Sequence, residues 1–175
     1  MTDIPRLLLN GAQPATPDML LEFLDRLEIA HHTLDHPPVY TVAEAKSIRG
    51  KLPGSHSKNL FLRNKKGRMW LVTCEENRHI DLKQLAKRLN ANRFSFASPE
   101  RLMIYLGVEP GAVTPFALIN DETQAVRFVI DRALLGVQPS NFHPLVNTKT
   151  TTIVANDLLT FVRACGHEPA IIDFD

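Results

Sequence analysis

Apolar residues recur along this chain at helical spacing in some stretches and in short runs typical of strands in others. The first helical stretch follows Thr16-Pro17, where Thr16 can cap a first turn and Pro17 suits the first helical position. These signals predict a helix that runs to about Glu28. Its apolar face is formed by Leu20, Leu21, Phe23, Leu24 and Leu27.

Three later stretches begin in the same way, with a capping side chain ahead of an apolar face. Asp81 precedes one predicted helix, and Ser98 precedes another that ends near Leu106-Gly107. Asn156 is the predicted cap of the last helix. In addition, Thr41–Glu44 has the form of a capping box and predicts a short helix that Gly50 ends.

Strands are predicted where apolar or β-branched runs lie between turn residues. The clearest pair is a hairpin with arms at Lys58–Asn64 and Arg68–Cys74, joined by a tight basic turn that contains Gly67. Shorter strands are predicted at residues 31–34, 94–96, 126–130, 150–154 and 170–174. Because helices and strands do not alternate strictly, the predicted fold class is α+β, a mixed sheet with helices packed on it.

With 175 residues, of which 44% are hydrophobic, the chain is long enough to bury one core. We expect an N-terminal arm at residues 1–14 and a single domain at residues 15–175. No apolar run has the length of a membrane span, and the first residues lack the pattern of a signal peptide. The predicted location is therefore the cytoplasm.

Positive charge is concentrated in the middle of the chain. Fourteen of the 20 Lys and Arg residues lie between Lys46 and Arg101, a span that holds only four acidic residues, although the net charge is only +1. Such a region is typical either of a solvated surface without a partner or of a surface for a phosphate-rich partner.

Several kinds of chemistry find no support in the residue pattern. Cys74 and Cys165 are far apart and belong to no metal-binding or redox motif. His31 and His32 lie on a predicted strand and His36 stands before two prolines, so no helical face brings these histidines together as metal ligands. No phosphate-binding glycine loop and no nucleophile elbow are present, and we expect neither a metal nor a cofactor.

Three polar features interrupt sequence that is otherwise structural. Lys58 lies at the start of an apolar strand, the loop Gly111–Pro115 is bounded by glycine and proline, and His143 stands before a proline. Lys58 can extend its ammonium to the edge of the sheet or point it into a cleft. On their own, these residues predict a binding cleft for an anionic ligand.

Four segments, taken in order, resemble one family. The chain is similar to the YbaK-like superfamily of prolyl-tRNA synthetase-associated editing domains, and within it to the free-standing ProXp-ala (PrdX) group. The resemblance implies a mixed, mainly antiparallel sheet surrounded by helices, and it covers the chain from about Ala15 onward. The matching segments are His36-Pro-Pro-Val-Tyr-Thr41, Gly54-Ser-His-Ser-Lys58-Asn-Leu-Phe-Leu62, Gly111-Ala-Val-Thr-Pro115 and Asn141-Phe-His143-Pro-Leu-Val-Asn147.

Carried over by position, the resemblance implies a set of site residues. The catalytic set is Lys58, Gly111 and His143, and the substrate-binding set is Asn59, Ala112, Val113, Thr114, Pro115 and Asn147. Residues proposed to wall a side-chain pocket are Val42, Ala43, Ile48 and Phe116.

The activity that the resemblance implies is hydrolysis, in trans, of the ester of alanine mischarged onto proline tRNA. The alternatives are a deacylase for another mischarged tRNA (Cys, Ser or Thr) and a module that binds the tRNA acceptor end without catalysis. The implied partners are the acceptor end of proline tRNA and prolyl-tRNA synthetase, and no membrane is involved.

Overall fold

Eight strands form one sheet in this computed structural model, which describes residues 6–40, 43–44, 47, 52–136 and 138–174. The strands are β1 (His31–Asp35), β2 (Ser55–Arg63), β3 (Met69–Glu75), β4 (Ser95–Phe96), β5 (Val126–Asp131), β6 (Pro139–Phe142), β7 (Lys149–Val154) and β8 (Ala170–Ile172). Their order in the sheet is β1-β7-β6-β2-β3-β5-β8, and β4 pairs with β2 beside this path.

Antiparallel pairing predominates in this sheet. The pairs β1–β7, β2–β3, β2–β4 and β6–β7 are antiparallel, whereas β2–β6, β3–β5 and β5–β8 are parallel. The predicted fold class, α+β with a mixed and mainly antiparallel sheet surrounded by helices, is confirmed.

Helices cover the sheet and begin mostly at the predicted caps. Those whose bounds lie within the described ranges are α1 (Pro17–Arg26), α2 (Leu82–Arg88), α3 (Pro99–Leu106) and α4 (Ala155–Ala164), with short 3-10 helices at Pro115–Asn120 and Arg132–Leu134. The Thr16 hydroxyl accepts from the Met19 amide at 3.2 Å, and Asp81 and Ser98 cap α2 and α3 in the same way. Each cap satisfies an amide that the first turn leaves without a helical partner.

Strand β2 is the element that joins the two halves of the sheet. Ser55 and His56 pair with β6, whereas Ser57–Arg63 pair with β3. Gly54, directly before β2, has a φ of +98°, and a Cβ at this position would overlap the backbone carbonyl of Pro139 in β6. The start of β2 therefore approaches β6 more closely than any side chain at position 54 would allow.

Both faces of the sheet are buried, and the described residues form two apolar clusters. The larger contains Phe61, Phe128 and Phe161, and the smaller contains Leu62, Trp70 and Val129. Successive side chains of a strand point to opposite faces, which is why Phe61 and Leu62 belong to different clusters.

The structure differs from the sequence predictions at two places. Residues 139–142, where no strand was predicted, form β6, because their backbone completes the ladder between β7 and the start of β2. Asn156 does not cap α4, which has Val154 at its N-cap and no capping side chain. The Asn156 Oδ1 instead accepts from the Gly136 amide at 3.0 Å.

Two further predictions concern the first third of the chain. The capping box and its helix fall mostly outside the described residues, although the Glu44 carboxylate accepts from the Tyr40 amide at 2.8 Å. The described part of the N-terminal arm lies against α3. Its Leu8 is buried, and the Leu9 amide donates to the Ile104 carbonyl at 2.8 Å.

Candidate functional site

A small cavity opens where β2 begins, between β6 and the segment that follows β1. Its volume is about 110 Å³, far below the ~300–1,000 Å³ of sites for drug-sized ligands. Polar side chains predominate in its lining, which is formed by His36, Val39, Leu52, His56, Ser57, Asn59, Asn141, Phe142, His143 and Thr150. The cavity suits a small polar group rather than an extended ligand.

Asn59 enters this cavity from the middle of β2. Its register partner on β3 is Thr73, whose hydroxyl donates to the Asn59 Oδ1 at 2.6 Å. Because the oxygen of the amide is occupied in this way, the two N–H groups of Asn59 are the donors that it can offer a ligand.

His143 follows β6 and lies opposite His36, with 6.1 Å between the ring centres. Its Nδ1 lies 2.9 Å from the Lys149 carbonyl, and this hydrogen bond requires a proton on Nδ1. Burial lowers the pKa of His143 below its ordinary 6.5, and the nearby His36 lowers it further, while the bond to Lys149 opposes the shift. His143 is therefore a neutral imidazole whose Nε2 is an acceptor.

Asn141 shapes the cavity through three hydrogen bonds. Its amide nitrogen donates to the carbonyls of Pro53 and Ser55, at 2.9 and 3.2 Å, and its oxygen accepts from the Thr152 hydroxyl. These bonds attach the start of β2 to β6 and β7. Sequence reasoning did not assign this residue, although its position two residues before His143 in a matching segment was a signal.

Lys58 lies between two lining residues of β2, but its side chain belongs to the other face of the sheet. The ammonium donates to the backbone carbonyl of Arg78, beyond the end of β3. Lys58 pairs in register with Cys74, and the Cys74 thiol lies on the same face. The structure does not bring the Lys58 ammonium to the cavity that contains Asn59 and His143.

Neither cysteine has the character of a nucleophile. Burial raises the pKa of Cys74 to about 11 and that of Cys165 to about 12. Both thiols remain protonated near neutral pH and are therefore unreactive.

The loop Gly111–Pro115 lies outside the small cavity. Gly111 is exposed, with a φ of +91°, whereas Thr114 and Pro115 are buried. The Ala112 amide donates to the Glu109 carbonyl at 3.0 Å, and the Thr114 hydroxyl accepts from the Phe116 amide at 3.3 Å. The second half of this loop is therefore part of the packed interior, and Gly111 is the part that faces solvent.

A second, wider depression of about 630 Å³ adjoins this loop. Tyr40 is 74% exposed, and its ring lies 3.9 Å from the point where a Cβ on Gly111 would stand. The Asn147 amide nitrogen lies 3.5 Å from the same point. Because His36 and Val39 line the small cavity and Tyr40 lines this depression, the segment 36–40 forms the boundary between the two.

Of the proposed pocket walls, the two that the structure describes, Ala43 and Phe116, do not line the small cavity. Val42 and Ile48 fall outside the described residues, and Ala43 is exposed. Phe116 is fully buried and packs edge-on against Phe142, with 5.8 Å between the ring centres. The described apolar walls of the small cavity are Val39, Leu52 and Phe142.

Neither a metal cluster nor a membrane-spanning helix is found among the described residues. In those ranges no group of three or more His, Cys, Asp or Glu side chains is arranged to hold a metal ion. The same part of the chain contains no helix that is both long and apolar enough to cross a bilayer. His31, which the sequence raised as a ligand candidate, bonds to the Asp25 carboxylate at 2.8 Å.

The chain belongs to the aminoacyl-tRNA editing domain family, whose model matches residues 36–161. The family expected from the sequence is thereby confirmed.

Among curated proteins, the chain is similar to the prolyl-tRNA synthetase associated domain-containing protein 1 of Bos taurus, with 41% identity over 87% of this chain and 91% of that protein. It is 40% identical to the prolyl-tRNA editing protein ProX of Acetoanaerobium sticklandii, over 82% of this chain and 88% of that protein. It is therefore an aminoacyl-tRNA editing domain related to these proteins.

Solved structures share the fold at lower identity. A protein described as a candidate trans-editing enzyme for prolyl tRNA synthetase superposes with a TM-score of 0.67 at 18% identity, over 91% of this chain and 98% of its own. At this identity the likeness concerns the arrangement of helices and strands alone.

Proposed function

We propose that this protein is an aminoacyl-tRNA deacylase that acts in trans, in the cytoplasm, on alanine esterified to proline tRNA. The observation that carries the proposal is the cavity of about 110 Å³ with Asn59 and His143 in its lining. An ester of a small amino acid needs only a small, polar enclosure with directed hydrogen-bond donors. Family membership supplies the reaction class.

The proposed reaction is attack of water on the ester carbonyl. The carbon–oxygen bond to the terminal ribose breaks, the ribose oxygen takes up a proton, and free alanine leaves. The N–H groups of Asn59 would donate to the oxygen that becomes negative, an interaction whose loss typically costs ~10²–10³ in rate. The neutral His143 would accept a hydrogen bond at Nε2 and hold the amino group or a ribose hydroxyl.

A protein base is not required in this scheme. The free ribose hydroxyl of the tRNA can assist the attacking water, as the resemblance implies. His143, which the sequence placed in the catalytic set, then acts by orienting the substrate, and Gly111 acts at the adjoining depression.

The adjoining depression is the proposed place for the end of the tRNA. Tyr40 presents an exposed ring there, and a nucleobase stacked on an aromatic ring typically gains ~1–3 kcal/mol. Gly111 leaves space beneath the ring, and the Asn147 amide can donate to the base or the sugar. Prolyl-tRNA synthetase is a further proposed partner, in keeping with the names of the relatives.

Selectivity would follow from size. A synthetase pocket that fits proline cannot strongly reject alanine, because a missing methylene or two is worth only ~1–3 kcal/mol. A second site too small for proline completes a double sieve. The small volume of the cavity supports this role.

The test is a deacylation assay with proline tRNA charged separately with alanine, cysteine, serine, threonine and proline. We expect alanine to be removed fastest and proline to be retained. Faster release of cysteine, serine or threonine would assign another mischarged substrate. Binding of the tRNA without hydrolysis of any ester would instead identify a non-catalytic acceptor-end module.

Lys58 has a separate proposed role as a fixed positive charge at the cavity end of β2, where it would attract the phosphates of the acceptor end. We expect Lys58→Met to lower kcat/KM strongly while the protein stays folded, and Lys58→Arg to retain more activity because the charge is kept. Full activity of Lys58→Met would remove Lys58 from the mechanism.

A further inference from the structure

The β2–β3 hairpin ends in a cluster of exposed cations. Lys65, Lys66 and Arg68 lie in or beside its turn, and all three are exposed. The segment before β4 adds the exposed Arg93, because Ser95 pairs with Arg63 in antiparallel register and the preceding residues run towards the turn. We call Lys65, Lys66, Arg68 and Arg93 the hairpin-tip cluster.

These cations differ from several others in having no acidic partner. Within the described ranges none of the four forms an ion pair, whereas Arg132, Lys149 and Arg163 each contact a carboxylate. The exposed Glu122 carboxylate lies in the loop that leads to β5 at the same end of the sheet and offsets at most one of these four charges. The hairpin-tip cluster therefore keeps a net positive charge that suits a polyanion.

The tip is also remote from the proposed reaction. Lys65 lies six positions after Asn59 along β2 and the turn, which corresponds to about 20 Å along an extended strand. This separation exceeds the Debye length of about 8 Å at physiological salt. The cluster therefore cannot act on the ester through space and can act only on a ligand long enough to reach from the cavity to the tip.

We propose that the hairpin-tip cluster binds the phosphate backbone of the double-stranded acceptor stem while the aminoacyl end occupies the small cavity. This inference rests on the proposed function, since it names a second contact with the same tRNA. Lysines and arginines on a protruding turn suit A-form RNA, which proteins recognise largely through phosphates and 2′-hydroxyls. The alternative ligand of this cluster is an acidic surface of another protein, and the experiment below distinguishes it from the acceptor stem.

The first measurement is binding of uncharged proline tRNA over a series of salt concentrations, which does not depend on catalysis. The variant Lys65→Gln/Lys66→Gln/Arg68→Gln should bind at least about tenfold more weakly at physiological salt. The slope of log K against log salt should fall in magnitude by about 2–3, close to one unit per lost phosphate contact.

The matched control removes three exposed cations elsewhere, Arg26, Lys83 and Arg132, and should change the affinity by less than about twofold. A second hairpin variant, Lys65→Arg/Lys66→Arg/Arg68→Lys, keeps the charges and should retain the binding of the wild type. This variant shows whether weaker binding comes from the loss of phosphate contacts or from a change in the structure of the turn.

The second measurement compares two substrates of different length. With full-length alanyl-tRNA, the glutamine variant should show a raised KM and an unchanged kcat. With the alanyl ester of the CCA trinucleotide, which has no stem, it should equal the wild type. The inference would be overturned if the hairpin and control variants weakened tRNA binding equally. It would also be overturned if the hairpin variant lost the binding of prolyl-tRNA synthetase but kept the binding of tRNA. Absence of all deacylation would reject the proposed function and leave the binding result standing.

Discussion

Asn59 is the cavity residue whose hydrogen bonding can be altered most selectively. The change Asn59→Asp keeps the oxygen that accepts from Thr73 and replaces the N–H donors by an acceptor. We expect kcat for deacylation to fall by about 10²–10³, because a negatively charged acceptor would oppose the developing oxyanion. Single-turnover kinetics measures this loss.

The matched control for this variant is Asn64→Asp. The Asn64 Oδ1 accepts from the Arg68 amide at 2.9 Å in the hairpin turn, so the same chemical change is made away from the cavity. The control should keep the kcat of the wild type when the charged tRNA is saturating, although the added charge beside Lys65 can raise KM. If Asn59→Asp and Asn64→Asp were equally active, Asn59 would have no part in the reaction.

Protonation of His143 makes the stability of the folded protein depend on pH. Burial holds its folded pKa below the ordinary 6.5, so the unfolded chain binds a proton more readily than the folded protein does. Stability contributed by the neutral ring is therefore complete above about pH 6.5 and declines as the pH falls towards the lower folded pKa.

The corresponding measurement is urea unfolding of the wild type and of His143→Gln between pH 7.5 and pH 5. We expect the wild type to lose more of its unfolding free energy over this range than the variant, because glutamine takes up no proton. Parallel pH profiles for the two proteins would contradict a depressed pKa.

At the scale of the element, Gly54 is the point on which the junction of β2 and β6 depends. A Cβ there would overlap the Pro139 carbonyl, and the positive φ adds strain. Gly67 in the hairpin turn also has a positive φ, of +78°, but no atom within 4 Å of an added Cβ.

The two glycines therefore form a matched pair. We expect Gly67→Ala to cost about 1 kcal/mol in unfolding free energy and Gly54→Ala to cost several kcal/mol, with loss of activity as the cavity deforms. Chemical denaturation and the deacylation assay measure both effects. Equal costs would show that β2 can move away from β6 without penalty.

Much of the architecture was predictable because its signals are local. Thr16, Asp81 and Ser98 cap helices through their own side chains, and the hairpin is marked by two apolar arms around Gly67. Strand β6 carries no such mark, because its formation depends on pairing with residues far away in the chain, at Ser55 and Ile153. The prediction that Asn156 caps α4 was wrong for the same reason, since its hydrogen-bond partner, Gly136, lies 20 residues away in the chain.

The candidate site was predictable in part. Asn59 and His143 line one cavity, as expected for members of one site, whereas Gly111 and Asn147 lie at the neighbouring depression. The direction of Lys58 could not be read from the pattern. Both faces of β2 are buried, so the alternation of side chains does not reveal which face holds the cavity.

At the scale of the whole molecule, a buried ion pair connects the ends of the central strands. The Asp131 carboxylate, fully buried at the end of β5, accepts from Arg78 Nε at 3.0 Å and from the amides of Glu75 and Ala133. Arg78 in turn supplies the carbonyl that receives the Lys58 ammonium. The pair therefore fixes the relative positions of β2, β3 and β5 near the cavity.

Removal of this carboxylate takes a buried acceptor away from the Arg78 guanidinium, whose side chain is only 20% exposed, and from the amides of Glu75 and Ala133. We expect Asp131→Ala to reduce the unfolding free energy by about 3–5 kcal/mol, measured by urea denaturation. The control Asp173→Ala breaks the exposed pair with Arg132 and should cost at most about 1 kcal/mol. Because Arg78 also holds Lys58, Asp131→Asn should lower deacylation more than Asp173→Asn does. Unchanged activity in a folded Asp131→Asn protein would show that this ion pair stabilises the sheet without positioning Lys58.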